Sequence, residues 1–196
     1  MPRNGEPARQ RLQQAALELF SEHGYDQTTA SEIAARAGVT ERTFFRHFPD
    51  KREVLFDGQS KLRTALTDAI VREPVTLQPL ETLYRAFRSV EQLLEDNRPF
   101  SLPRQQVIAN TPALQERELA KEAALAEALA EALRQRGVDE RLAALAAQTG
   151  MAAFRYAVVS WFADPSGGLG LCLERAFDAL DRLSSSLSTR GVRHHR

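Results

Sequence analysis

A single cysteine, Cys172, in 196 residues excludes an internal disulfide framework and fits a reducing cytoplasm. An excess of one charge is also missing. The chain carries 26 basic and 26 acidic residues, and residues 1–60 hold eight basic and nine acidic, so no global field draws it to nucleic acid. The opening residues MPRNGEPARQR lack the apolar stretch of a secretory leader, and export is not expected. Four histidines, His23, His47, His194 and His195, have no spacing suited to a metal or to a nucleophile and its base, and no glycine-rich phosphate loop occurs. Metal, cofactor and enzymatic chemistry are therefore not expected. Strand-like alternation, internal repeats and low-complexity tracts are absent as well.

Helical periodicity is what the chain does have. The reading is all-α, with about nine helices: an N-terminal three-helix helix-turn-helix domain over 1–50, a C-terminal helical bundle over 51–190, and a disordered basic tail over 191–196. Residues 1–7 form a polar arm, with Arg3, Arg9 and Arg11 either frayed or lying along a phosphate backbone or a minor groove. A first helix from about Pro7 to His23 places Leu12, Ala15, Ala16, Leu19 and Phe20 on one face and ends at Gly24.

Residues 28–56, TTASEIAARAGVTERTFFRHFPDKREVLF, hold three helix starts. Thr29 with Glu32 and Asp50 with Glu53 have the spacing of capping boxes, while Thr40 caps a short helix between them after the turn at Gly38. Ile33, Ala34 and Ala37, with Val39 in the turn, face a core shared with Phe44 and Phe48. Glu41, Arg42, Thr43, Phe45, Arg46 and His47 are left for the outer faces. These are the dimensions of a helix-turn-helix whose second helix enters a DNA major groove.

The segment GYDQTTASEIAARAGVTERTFFRHFPDKREVLF resembles the DNA-binding segment of the TetR family of transcriptional regulators, over roughly residues 8–57. It matches in the Gly after the first helix, Thr-x-x-x-Ile-Ala, Ala-Gly-Val-Thr, Phe-x-x-Phe and the Lys two residues beyond Pro49. The resemblance puts Arg42, Thr43 and Arg46 at positions that reach bases or nearby phosphates, and Phe45, His47, Thr29 and Lys51 at backbone-contacting positions, beside the capping Thr40. Phe45 stands where the family usually has Tyr. It lacks the hydroxyl that would bond a phosphate, and apolar contact with a thymine methyl or sugar is the alternative.

A helix opened by Asp50 continues through Val54, Leu55, Leu62, Ala65, Leu66, Ala69 and Ile70 to near Pro74, and about twenty residues span about 30 Å. It reads as a single lever from the reading head into the C-terminal part. Further helices follow over 80–96, over 102–110, and from Thr111-Pro112 to Arg136 with Leu114, Leu125, Leu129 and Leu133 in a stripe and Gly137 as the stop. Residues 142–163 carry one charge, Arg155, and read as a buried helix; a transmembrane span is disfavoured by Gln148, Arg155 and the amphipathic neighbours. The last helix repeats Leu169, Leu173, Ala176, Phe177, Leu180, Leu183 and Leu187 at near-heptad spacing.

Two such helices from each of two subunits make a four-helix interface, as the resemblance also implies, with Arg155, Trp161, Leu173, Phe177 and Leu180 as its candidates. Arg155 reads as a paired charge before a ligand contact, and Trp161 and Tyr156 as core or dimer contacts before pocket walls. Leu62, Leu66, Tyr84, Phe87, Phe100, Val107, Ile108 and Phe154 either surround an apolar effector cavity, as the resemblance suggests, or are plain core. The functional expectation is a cytoplasmic homodimeric repressor. It binds double-stranded DNA at a palindromic operator and is released by a small apolar effector, with no membrane partner. A helical adaptor whose bundle binds a protein, with DNA binding secondary, is the alternative.

Overall fold

A computed structural model describes the backbone of residues 5–191 and the side chains of residues 8–185. Arg3 with the first residues of the arm, the side chain of Leu187 and the residues 192–196 of the basic tail lie outside the described residues. Among the described residues there are ten α-helices and two short 3-10 helices, and no strand. The chain divides into two compact units, and the division is not sequential: one takes residues up to 60 together with 97–121, the other 61–96 together with residues from 122 onward.

In the first unit, α1 (Gly5–His23), α2 (Ala30–Arg36) and α3 (Glu41–His47) form as the sequence dictates. Thr29 makes the full capping box: its hydroxyl accepts from the Glu32 amide at 3.2 Å, and its own amide donates to the Glu32 carboxylate at 2.7 Å. The Thr29 amide first, and the Thr29 hydroxyl donating at 2.8 Å after it, hold the Glu32 carboxyl below the usual carboxylate range. At the other end of α2, Gly38 has φ +68, and the amides of Gly38 and Val39 donate to Ala35 and Ala34 in the two-bond pattern of a Schellman turn. A side chain at Gly38 would meet no neighbour, so glycine is required there by backbone conformation alone.

Leu12, Ala15, Ala16, Leu19 and Phe20 of α1, Ile33, Ala34 and Ala37 of α2, and Phe44 and Phe48 form one buried cluster. The same cluster takes in Val54, Leu55 and Phe56 of the 3-10 helix Glu53–Phe56, Val107 and Ile108 of α7 (Arg98–Ala109), and Leu114 at the start of α8 (Pro112–Gln135). Three apolar side chains in succession cannot share one face of a helix; they can all be buried because α1 lies against this turn and α7 against α1.

The expected lever from Asp50 to Pro74 is not one helix. Asp50 does cap the turn after α3, accepting from the amides of Arg52 and Glu53 at 2.8 and 3.0 Å. Asp57 is then extended and Gly58 takes φ +91, so that α4 starts only at Gln59 and runs to Arg72. Arg9 of α1 pairs with Asp57 and fixes the break. The Asp-Gly dipeptide is a turn signal that the apolar periodicity on either side obscures.

In the second unit, α4, α5 (Pro79–Ser89), α6 (Glu91–Asp96), the later part of α8, α9 (Glu140–Ala163) and α10 (Gly168–Gly191) surround Leu66, Ile70, Leu83, Phe87, Leu129, Leu133, Phe154, Trp161 and Leu173. A single helix expected over 80–96 divides at Val90. Gly150 lets α9 approach α5, because a Cβ there would fall 2.8 Å from Leu83 Cδ1. Arg136, just past α8, closes the end of α4 by donating to the carbonyls of Ile70, Glu73 and Pro74.

Candidate nucleic-acid interface

The candidate site is the outer face of α3. Its inner face is fixed by Phe44 and Phe48, both buried and with rings 5.8 Å apart. Its start is fixed by Thr40, whose hydroxyl accepts from the Thr43 amide at 3.2 Å and lies 3.0 Å from the Thr43 hydroxyl. Arg42, Phe45 and Arg46 project outward and are exposed, Phe45 by 51% with its ring edge-on to Phe44. A half-exposed phenylalanine between two arginines adds nothing to this unit's core. It does offer one apolar surface flanked by two five-donor guanidinium groups, a combination that fits base edges, a thymine methyl and phosphates.

Two other residues expected to touch DNA, Thr29 and Lys51, make hydrogen bonds within the chain. Thr29 is occupied by its capping box. The Lys51 ammonium donates to the carbonyls of Tyr25 at 2.7 Å, Thr28 at 2.9 Å and Asp26 at 3.3 Å, and lies 4.3 Å above the Tyr25 ring. All three of its protons find acceptors within the α1–α2 loop, which Lys51 staples. Arg9 and Arg11, candidates for a phosphate backbone, also turn inward. Arg9 sits 5.1 Å over the Phe48 ring and pairs with Asp57, and Arg11 donates to the Ala37 carbonyl at 3.1 Å.

His47 is partly buried, and its Nε2 has no hydrogen-bond partner. Burial, followed by the charges of Arg46 and Arg9, pushes its pKa below the usual histidine value, against a smaller opposing pull from Asp57. Charge type alone does not separate these residues at the sequence level, because a lysine aimed at carbonyls and one aimed at solvent look the same.

The effector and dimer candidates lie elsewhere. Leu62, Leu66, Tyr84, Phe87 and Phe154 share the second unit's core, with Phe87 stacked on Phe154 at 4.5 Å and Tyr84 5.2 Å from Phe177. Val107, Ile108 and Phe100 do not join them; they pack in the first unit. Helical spacing identifies a buried stripe but not which core receives it.

Of the five dimer candidates, Trp161 and Leu173 are buried within the chain's own core, and Phe177 and Leu180 pack against it. Of the near-heptad stripe of α10, Leu169, Leu173, Ala176, Phe177 and Leu180 belong to the core of the same chain, whereas Leu183 is exposed. Among the five candidates only Arg155 is exposed, paired with Glu122 at 3.3 Å rather than buried. The sequence reading missed the opposite face of α9, where Leu142, Leu145, Tyr156 and Val159 are exposed by 48, 63, 66 and 54%. Their separations of 3, 11 and 3 residues place them on one side of the helix, a pattern legible in the sequence. Among the described residues α9 is the one helix long and apolar enough to cross a membrane, and its other face is packed in the core. No group of three or more metal-ligating side chains occurs among the described residues.

A family model described as bacterial regulatory proteins of the tetR family matches residues 12–57, and one described as the MftR C-terminal domain matches residues 77–184. The HTH-type transcriptional regulator TcmR of Streptomyces glaucescens is 42% identical over 82 residues, covering 42% of this chain and 36% of TcmR, so the match spans about a third of that relative's length. The putative mycofactocin biosynthesis transcriptional regulator MftR of Mycobacterium tuberculosis is 26% identical over 180 residues, 88% of this chain and 91% of MftR. Among solved structures, Thermus thermophilus FadR, a TetR family transcriptional repressor in complex with lauroyl-CoA, is 30% identical over 88% of this chain and 92% of its own, with a TM-score of 0.55. NalD, the secondary repressor of the MexAB-OprM multidrug efflux pump in Pseudomonas aeruginosa, shares the fold at 21% identity, with 91% and 97% covered and a TM-score of 0.61.

Proposed function

The chain belongs to the TetR family of bacterial transcriptional regulators, and from that premise we propose that it is a cytoplasmic homodimeric repressor that reads a palindromic operator and releases it when a small apolar effector binds. The observation that carries this reading is the outer face of α3, where Arg42, Phe45 and Arg46 are exposed on a helix whose other face and start are fixed by buried rings and a cap. In the proposal, Arg42 and Arg46 reach base edges, Phe45 meets a thymine methyl or sugar, and the unit of residues up to 60 with 97–121 is the DNA reader. The exposed apolar face of α9, with Leu183 of α10 exposed by 65%, supports pairing with a second copy. A two-fold dimer presents two recognition helices to half-sites about 34 Å apart.

The proposed effector site is the aromatic region of the second unit around Leu62, Leu66, Tyr84, Phe87 and Phe154. FadR binds lauroyl-CoA; carried to this chain, that likeness points to a ligand with a long apolar part. Such a ligand lowers operator affinity only by its differential affinity for the two states of the protein.

Selection of duplexes from a random pool by the purified full-length protein tests the reading. Enrichment of a two-fold symmetric sequence is expected. Binding that stays sequence-indifferent and collapses with salt would refute specific reading, and a stable complex with another protein, without DNA retention, would favour the adaptor.

A further inference from the structure

The turn that follows α3 is held by residues far along the chain. Glu53 carries two cations: its Oε1 accepts from Arg117 Nε at 2.6 Å and its Oε2 from Lys121 Nζ at 3.2 Å. Lys121 also donates to the Phe56 carbonyl at 3.1 Å and lies 5.0 Å above the Phe56 ring. On the same ring, at 4.9 Å, sits the Arg104 guanidinium, which donates to the Leu55 carbonyl at 2.5 Å and pairs with Glu118 at 2.6 Å. Three cations thus converge on four residues, balanced by Glu53 and Glu118. The side chains of Glu53 and Lys121 are 19 and 17% exposed, so water screens them poorly. Arg117 first, and Lys121 after it, hold the Glu53 carboxyl below the usual carboxylate range; for Lys121 burial outweighs the pull of Glu53 and lowers its pKa. Without Glu53, two half-buried cations face each other at the turn with no counter-charge between them.

Arg117 and Lys121 lie on α8, a helix whose residues up to 121 belong to the unit of α1–α3 and whose residues from 122 belong to the other. The route expected along Asp50–Pro74 is interrupted at Asp57 and Gly58, whereas α8 runs unbroken from Pro112 to Gln135. We propose that Glu53, Arg117 and Lys121 are positioning residues for DNA reading: they form the joint by which α8 sets the turn directly after the recognition helix, without touching DNA. The inference rests on the reading of α3 as the DNA reader.

The test is hydrogen exchange on the full-length protein with and without a duplex selected from a random pool, for the wild type, Glu53→Gln and Lys121→Met. Methionine keeps an apolar stem over Phe56 and removes the charge. In the wild type the duplex is expected to slow exchange across α1–α3 and also, by about fivefold or more, at the amides of 122–135, because coupling between sites is reciprocal. Both variants should keep the response in α1–α3 and lose it over 122–135, which a brace that merely stabilises the unit would not do. A wild type with no response over 122–135, or variants that retain it, would overturn the joint. If no duplex is enriched, or α1–α3 do not respond, the reading of α3 fails and the joint falls with it.

Discussion

Replacing Lys51 by Met separates two roles that sequence alone cannot distinguish. The ammonium bonds Tyr25 and Thr28 carbonyls in a half-buried setting and Asp26 at the surface, with the Tyr25 ring beneath it. Each half-buried charge-assisted bond contributes about 1.5 kcal/mol, and the exposed one is replaced by water at little loss. The ring contact adds roughly 0.5 kcal/mol. Lys51→Met should therefore destabilise the first unit by about 3.5 kcal/mol, a large part of the roughly 5–15 kcal/mol that holds a domain. In urea, with a slope near 2 kcal/mol/M, the far-UV transition of that unit should move down by roughly 1.75 M. The midpoint read by Trp161, the only tryptophan and a member of the other unit's core, should stay in place. At saturating folded protein, the dependence of log affinity on log salt should be unchanged. A variant as stable as the wild type, whose salt slope falls by about one unit, would refute the staple and make Lys51 a phosphate contact.

Arg42→Ala should weaken binding to a selected duplex by about 1–3 kcal/mol while leaving random DNA nearly unaffected, as read by competition anisotropy; equal losses on both would remove Arg42 from base reading. Leu145→Glu, placed on the exposed face of α9, should raise the dimer dissociation constant by about two orders of magnitude or more in sedimentation equilibrium, because each unpaired carboxylate buried at the two-fold costs about 3 kcal/mol; an unchanged dimer would place the interface elsewhere. His47 gives a pH dependence of defined sign. Its folded pKa is lowered, so the unfolded chain takes up the proton first, and its contribution to stability is fully present above about pH 6.5 and is lost as pH falls through the window below it. The urea midpoint should therefore drop between about pH 7 and 5, and His47→Gln should flatten that drop; an equal drop in both proteins would assign it to other groups.

What the sequence made legible was whatever depends on neighbours in the chain. Thr29 and Glu32 lie three residues apart and cap each other, Gly38 ends α2, and Phe44 of α3 and Phe48 just past its end enter the same core, each as local spacing requires. What the sequence left unseen was whatever a distant residue decides. Lys51 points inward because the Tyr25–Thr28 loop presents carbonyls to it, and Glu53, expected to complete a capping box with Asp50, is instead taken by Arg117 and Lys121. Val107 and Ile108 keep a helical stripe but belong to the first unit, because the chain returns to it at residue 97. On α9, a low charge content suggested burial all round, whereas Ala143, Ala147, Phe154 and Trp161 face the core and Leu145 and Tyr156 face away from it. The distinction lay in the size of the residues on each face more than in their polarity.

The central claim, that a pair of α3 helices reads sequence, is tested most directly by a hydroxyl-radical footprint of the full-length protein on the DNA flanking its own gene and on a duplex selected from a random pool, with random DNA as competitor. Two protected patches related by two-fold symmetry and centred about 34 Å apart, lost in Arg42→Ala, are predicted. A diffuse protection that follows salt but not sequence, and is the same in Arg42→Ala, would contradict it.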